Sequence, residues 1–194
     1  MPNKLKNNNL KGLILCGGES KRAGTDKGLK TGNGTTWVKL VANKLENLGL
    51  DYFVSINSSQ IEKYKNEITE KLFILDDLDI LGPLRGILSA HQKYPKNNWL
   101  ILACDMIDMD LQTIRSLINE FLYTEKHDFY VYKNEEFYQP FCGIYTADGL
   151  SKLLKKYSNK ELDTFKLQNV FKNHDTLAIP INLNDPSFNN YNQP

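Results

Sequence analysis

Two cations, two carboxylates and a glycine pair carry the candidate chemistry of this chain. The apolar run Leu13 to Cys16 stops at Gly17-Gly18, and Arg22, Gly24 and Lys27 follow before hydrophobic residues resume. Glycines at such a turn let backbone N–H groups approach a polyphosphate that a Cβ would keep away, and Arg22 and Lys27 add positive charge. The loop is not a P-loop, because it lacks the GxxxxGK[ST] order, and it is not a GxGxxG dinucleotide fingerprint. Its plain alternative is a turn with solvated basic residues. The strand in front of it, the two spaced cations and the Asp26-Lys27 pair favour the phosphate reading.

Asp76 and Asp105 each end an apolar run, and they lie 29 positions apart (105 minus 76), about one strand–helix–strand unit. Parallel strands deliver both acids to one sheet edge, and in open α/β sheets ligands bind outside the carboxyl ends of the strands. A carboxylate there can hold Mg²⁺, which bridges phosphate oxygens. The alternative is that each acid caps the helix that follows it. Asn182 and Asn184, two apart, share one side of an extended segment; they suit either a polar ligand edge or turn chemistry before Pro186. His91, His127 and His174 show no ligand spacing.

The elements that must position these residues alternate between short apolar runs and helical periodicity. After the strand ending at Cys16, Trp37, Val38, Val41 and Leu45 share a helical face and Gly49 stops it. Asp51 to Asn57 reads as a strand that delivers Ser55 and Asn57 near its carboxyl end, Gln60 to Lys71 as a charged surface helix, and Leu72 to Leu75 as a third strand. Leu84, Ile87, Leu88 and His91 space as a helix, and Trp99 to Ala103 is a fourth apolar run. Near-continuous apolar runs between helices argue for parallel strands buried on both faces, an α/β fold. Leu111 to Leu122 is an amphipathic helix, Phe129 to Tyr132 a strand, and Phe141 to Tyr145 its antiparallel partner, which makes the sheet mixed. Gly149 to Tyr157 and Phe165 to Phe171 read as helices, and Thr176 to Ile179 as a closing strand before Pro180.

A chain of 194 residues suits one domain, with residues 1–11 and 189–194 expected to be flexible. Apolar residues make up 41% and charged residues 24%, ordinary usage that indicates neither disorder nor a membrane class. The first ten residues are polar and basic, without the apolar stretch of a secretory signal. Net charge is +1, from 24 basic against 23 acidic residues, which offers no electrostatic footprint for nucleic acid or a membrane surface. Any polyanion must be bound locally. Cys16, Cys104 and Cys142 are three in number, widely spaced and strand-like in context, as expected of reduced core thiols in a cytoplasmic protein.

With those motifs in place, Leu15 to Lys27 resembles the LAGG-x-S-x-RMG-x-DK signature of the molybdenum cofactor guanylyltransferases, within the nucleotidyltransferase superfamily. Gly82-Pro83-Leu84-Arg85-Gly86-Ile87 is similar to that family's GPLAGI, Ala103-Cys104-Asp105-Met106 to its PCDMP, and Asn182 to Pro186 to its NxNTP, so the likeness covers nearly the whole chain from Gly12. The resemblance implies a Rossmann-like three-layer sandwich with a mostly parallel, partly mixed sheet. It also implies a reaction, transfer of GMP from GTP to molybdopterin with release of pyrophosphate, assisted by Mg²⁺. By position, Leu15, Cys16, Gly17 and Gly18 would cradle the nucleotide, Arg22 and Lys27 would neutralise the triphosphate, and Asp105 would hold the metal. Ser55 or Asn57 and Asp76 would contact the nucleotide, and Asn182 and Asn184 would lie near the pterin. Partners implied are GTP and molybdopterin, with molybdoenzymes or other cofactor-synthesis proteins as neighbours of a monomeric enzyme.

The chain departs from the family pattern at Ala23 (Met), Arg85 (Ala), Ile107 (Pro) and Asp185 (Thr), and Lys160 to Gln168 matches only loosely. Asp77 follows Asp76 directly, so either acid could take the nucleotide role. Cytidylyl transfer to the same pterin, nucleotidyl transfer to a sugar phosphate, and a catalytically silent nucleotide- or cofactor-binding protein are the competing readings.

Overall fold

The computed structural model describes residues 8–17, 26–32, 34–124, 126–181 and 186–188. Gly18, Arg22, Asn182 and Asn184, expected at the site, lie outside the described residues.

The strands are β1 (Leu10–Leu15), β2 (Tyr52–Ile56), β3 (Phe73–Leu75), β4 (Asn98–Ala103), β5 (Phe129–Lys133), β6 (Tyr138–Tyr145) and β7 (Thr176–Pro180). The helices are α1 (Trp37–Asn47), α2 (Leu84–Lys93), α3 (Leu111–Tyr123), α4 (Ala147–Ser158) and α5 (Leu167–Lys172). These seven strands join one sheet in the order β3-β2-β1-β4-β6-β5-β7, and Thr31–Gly32 and Thr35–Thr36 pair in a separate two-stranded antiparallel ladder. Every neighbouring pair is parallel except the two made by β6, which runs against β4 on one side and β5 on the other. The sheet is thus mostly parallel and partly mixed, as the apolar runs indicated.

Side-chain alternation explains why those runs are nearly continuous. Ile14, Leu100 and Leu102 point to one face and pack with Val38, Val41 and Leu45 of α1 and Ile114 and Leu117 of α3. Leu13, Leu15, Trp99 and Ile101 point to the other and pack with Leu84, Ile87 and Leu88 of α2, Leu150 and Leu153 of α4, and Val170 of α5. Both faces are covered, so both sets of positions must be apolar. No helix among the described residues is long and apolar enough to cross a membrane.

Two elements differ from the sequence expectation. β1 begins at Leu10, within the polar lead-in, because Leu10 is buried and Lys11 Nζ pairs with Asp51 Oδ2 at 2.6 Å beside the ladder. The helix expected over Gln60 to Lys71 is instead a 3₁₀ turn (Ser58–Gln60), a single α-turn (Ile61–Tyr64) and a second 3₁₀ turn (Glu70–Leu72). Gln60, Tyr64 and Ile68 are its buried side. Asn66 and Thr69 propagate a helix poorly, and Glu67 is held to α1 by the Thr36 hydroxyl (2.9 Å) and by Lys39 (3.0 Å).

The candidate active site

The carboxyl ends of β1, β2, β3 and β4 lie side by side and open onto a cleft of about 500 Å³. Its floor and walls come from Leu15 to Gly17, Asp26 and Lys27, Asn57, Asp76, Ala103 to Asp105, the segment before and within the first turn of α2 (Leu81 to Pro83 and Arg85), and Phe141. Phe141 reaches the cleft because the β5–β6 ladder jumps from Val131↔Gly143 to Tyr132↔Gln139. The extra residues form a bulge, with Cys142 at φ 59°, that aims the strand toward the site.

Lys27 and Asp105 meet across this cleft, with Nζ 3.2 Å from Oδ2. Lys27 opens a 3₁₀ turn, Lys27–Leu29, capped by Asp26, whose Oδ1 accepts the Gly28 amide at 3.2 Å. The Asp26 carboxylate also accepts the Tyr64 hydroxyl at 2.6 Å and the Gln60 carboxamide. Gln60 ties the site together: its Nε2 donates to the Cys16 carbonyl at 3.1 Å and its Oε1 accepts the Asn57 amide at 2.7 Å. A residue placed in a charged surface helix by its neighbours is therefore a buried strut between β1, β2 and the lysine turn. The signal that could have found it is the Asn57-x-x-Gln60 spacing, that of a capping box.

The two acids are not helix caps. Asp110, not Asp105, caps α3 by accepting the Gln112 amide at 3.0 Å, and α2 starts from Pro83 without a side-chain cap. Asp76, not Asp77, lines the cleft; Asp77 donates its amide to Ser89 Oγ at 3.2 Å on the flank. Burial pushes the Asp76 carboxyl above its ordinary range, the Ser55 hydroxyl and the Arg85 guanidinium pull it back, and the Asp77 charge adds to the rise.

This geometry bears on two of the expected nucleotide contacts. Ser55 is 1% exposed and donates its hydroxyl to Asp76 Oδ1 at 2.6 Å. It is a buried partner of Asp76 and does not border the cleft, whereas Asn57 does. The amides of Cys16 and Gly17 both donate to the Ser55 carbonyl, at 2.9 and 3.0 Å. A cradle of N–H groups over Leu15 to Gly18 is thus already engaged at these two positions, which border the cleft with the backbone itself. The glycine pattern has a steric reason as well. A Cβ on Gly17 would stand 1.9 Å from Asp76 Oδ2, and one on Gly86 2.2 Å from Ser55 Oγ.

Cys16 and Cys104 follow directly on paired positions of β1 and β4, since Leu15 pairs with Ala103. Burial, and after it the neighbouring Cys104 thiol, raises the Cys16 thiol well above its ordinary value. None of the three cysteines is in a disulfide, and all three are buried. Among the described residues no three His, Cys, Asp or Glu side chains converge as a metal cage. Asp105 supplies a single hard oxygen donor, one-fifth exposed in the cleft. That donor set fits Mg²⁺ held jointly by one protein carboxylate, phosphate oxygens and water.

A cleft at parallel strand ends, floored by a close-packed glycine and carrying one lysine–aspartate pair, suits a phosphorylated ligand. Residues 12–177 match the MobA-like NTP transferase domain. The probable molybdenum cofactor guanylyltransferase of Geobacillus sp. is 27% identical over 164 residues, 82% of this chain and 83% of that protein. The molybdenum cofactor biosynthesis bifunctional protein of Synechocystis sp. is 32% identical over 146 residues, 75% of this chain, and this chain spans 42% of that protein's length. Molybdopterin-guanine dinucleotide biosynthesis protein A from Archaeoglobus fulgidus shares the fold, with a TM-score of 0.70 at 20% identity, covering 88% of this chain and 83% of that one. The match from strand β1 into strand β7 makes the chain a member of the MobA-like NTP transferase domain family, and a nucleotidyltransferase.

Proposed function

We propose that the protein transfers GMP from GTP to molybdopterin in the presence of Mg²⁺, giving the guanine dinucleotide cofactor and pyrophosphate. The observation that carries the reading is the Lys27–Asp105 pair at the β1 and β4 ends, beside a cleft long enough to continue past Asp76 to α2. In the reaction, a terminal phosphate oxygen of molybdopterin bonds to the α-phosphorus of GTP, the bond from that phosphorus to the bridging oxygen of the β-phosphate breaks, and pyrophosphate departs with the electron pair. The attacking phosphate is already anionic, so no Ser/His/Asp constellation or dedicated base is needed. Positioning and charge stabilisation carry such transfers.

Lys27 presents its ammonium to the triphosphate and to the leaving pyrophosphate, and Arg22 adds a second cation on the same loop. Asp105 would hold Mg²⁺, which would supply charge neutralisation to the triphosphate. Asp76 and Asn57 border the nucleoside half, and Ser55 fixes Asp76. Asn182 and Asn184 are assigned to the pterin. Support for the acceptor comes from the relatives named as molybdenum cofactor guanylyltransferases. Three buried cysteines outside any disulfide suit a reducing cytoplasm.

The test is direct. The protein is incubated with Mg²⁺, molybdopterin and each of GTP, CTP, ATP and UTP, and pyrophosphate is measured. Release with GTP alone is the expected result. Release with CTP alone would move the protein to cytidylyl transfer, and none with any nucleotide would sink the reading.

A further inference from the structure

Tyr64 closes the single α-turn Ile61–Tyr64, is fully buried and lies outside the sequence motifs. Its backbone carbonyl accepts the amides of Glu67 and Ile68 at 2.9 and 2.8 Å, which fixes the root of the side chain. From there the phenol reaches the Lys27 turn, where its hydroxyl donates to Asp26 Oδ1 at 2.6 Å. The same oxygen accepts the Gly28 amide at 3.2 Å, and the other carboxylate oxygen accepts the Gln60 carboxamide.

Space as well as bonding ties Tyr64 to this turn. A Cβ on Gly28 would stand 2.3 Å from the Tyr64 hydroxyl oxygen and 3.3 Å from Cys16 Sγ, so the turn closes on the phenol with no room for a side chain. Asp26 and Gly28 flank Lys27 in the chain, and Tyr64 holds one by a hydrogen bond and the other by contact. A lysine ammonium stands on a flexible four-carbon stem. Where Nζ comes to rest therefore depends on where the backbone is held, and a misplacement of about 1 Å can cost about a hundredfold in a catalysed step.

We infer that Tyr64 is a positioning residue for nucleotidyl transfer: through Asp26 and Gly28 it sets the backbone of Lys27, and with it the place where the ammonium meets the triphosphate. This rests on the reading of Lys27 as a triphosphate contact. Tyr64 is not among the side chains that line the cleft, so its effect on a bound nucleotide must pass through the turn. Gln60 shares Asp26 but also carries the Cys16 carbonyl and the Asn57 amide, which makes the Tyr64 hydroxyl the cleaner probe. A tyrosine that only filled the core would matter equally with and without Lys27, and the two roles part there.

The experiment is a calorimetric titration, with Mg²⁺ present, of GTP, GMP, CTP and CMP into the wild type, Tyr64→Phe, Lys27→Ala and the double variant. Tyr64→Phe removes one oxygen. It is expected to weaken GTP about tenfold, a fraction of what a misplaced catalytic group can cost, and to leave GMP, which lacks the pyrophosphate that Lys27 neutralises, within about twofold. In the Lys27→Ala background the same substitution should change GTP affinity by less than about twofold, because residues acting through one group are non-additive. Gly28→Ala presses on the same contact from the turn side and serves if Tyr64→Phe fails to fold; it too should weaken GTP and spare GMP only while Lys27 is present. Unchanged GTP affinity in Tyr64→Phe, an equal loss for GTP and GMP, or a loss that persists without Lys27 would each overturn the inference, while wild-type preference for GTP leaves the guanylyl reading standing. Unchanged GTP affinity in Lys27→Ala would overturn it together with the reading of Lys27. A wild type that prefers CTP would instead overturn the guanylyl reading, and the same comparison of CTP with CMP then decides the role of Tyr64.

Discussion

Lys27 and Asp105, 78 residues apart in the chain, stand 3.2 Å apart at Nζ and Oδ2 across the mouth of the cleft. The lysine side chain is 35% exposed and the aspartate 20%, and exposed pairs of this kind contribute about 1 kcal/mol or less to stability. Their value lies in the charge they present. Lys27→Ala and Asp105→Asn should each lower turnover by about a hundredfold or more, the scale seen when one preorganised charge-stabilising group is removed. Their thermal midpoints should stay close to the wild type. Turnover near the wild-type value in either variant would take that residue out of the reaction.

Gln60 is expected to matter more for the fold than its polar neighbours suggest. It is 8% exposed and serves the Cys16 carbonyl, the Asn57 amide and the Asp26 carboxylate at once. Gln60→Leu would leave buried polar partners unsatisfied, each costing about 1–3 kcal/mol. The expected result is a destabilisation of about 2 kcal/mol or more in denaturant unfolding, with a raised KM for the nucleotide because the Lys27 turn loses its anchor. Gln60→Glu should be worse at neutral pH, since it sets a second carboxylate against Asp26. Wild-type stability in Gln60→Leu would show that water replaces the strut.

Most of the architecture was legible because its cause is local. Strands buried on both faces need unbroken apolar runs, helices need a 3.6-residue period, and the acids at Asp76 and Asp105 interrupt their runs where the strands leave the core. The order of β6 and β5 was legible in part, since a short turn at Asn134 forces antiparallel pairing. What escaped the sequence reading depends on partners far along the chain. Gln60 looked solvated because Glu62, Lys63 and Lys65 surround it, yet Tyr64 and Ile68 face inward with it. Ser55 sat at the expected strand end, but period-two alternation turns its hydroxyl under Asp76. The Cys16 and Gly17 amides looked available until the Ser55 carbonyl claimed both. In each case the competing partner is brought in by sheet pairing, which spacing along one segment cannot display.

The Asp76 carboxyl couples the site to pH. Burial raises it above the ordinary carboxylate range despite the hydroxyl of Ser55 and the charge of Arg85, so the folded protein binds a proton at Asp76 more readily than the unfolded chain does. For a group shifted in this direction, the stabilising contribution is complete below its unfolded value, about 3.9, and is lost as pH rises through the folded value. At pH 7 the buried charge therefore costs stability. Asp76→Asn keeps an oxygen to accept the Ser55 hydroxyl and removes the charge. It should show a higher thermal midpoint than the wild type at pH 7, an advantage that shrinks as both proteins are brought toward pH 4, where the wild-type carboxyl is increasingly protonated. The same variant should bind GTP more weakly, because with its oxygen on the Ser55 hydroxyl the amide turns an NH₂ donor where the carboxylate had a second acceptor oxygen. Equal midpoints at pH 7 would mean that Arg85 and Ser55 fully compensate the buried charge. A lower midpoint would mean that the carboxylate stabilises the sheet edge, and either result would contradict the sign argued from burial.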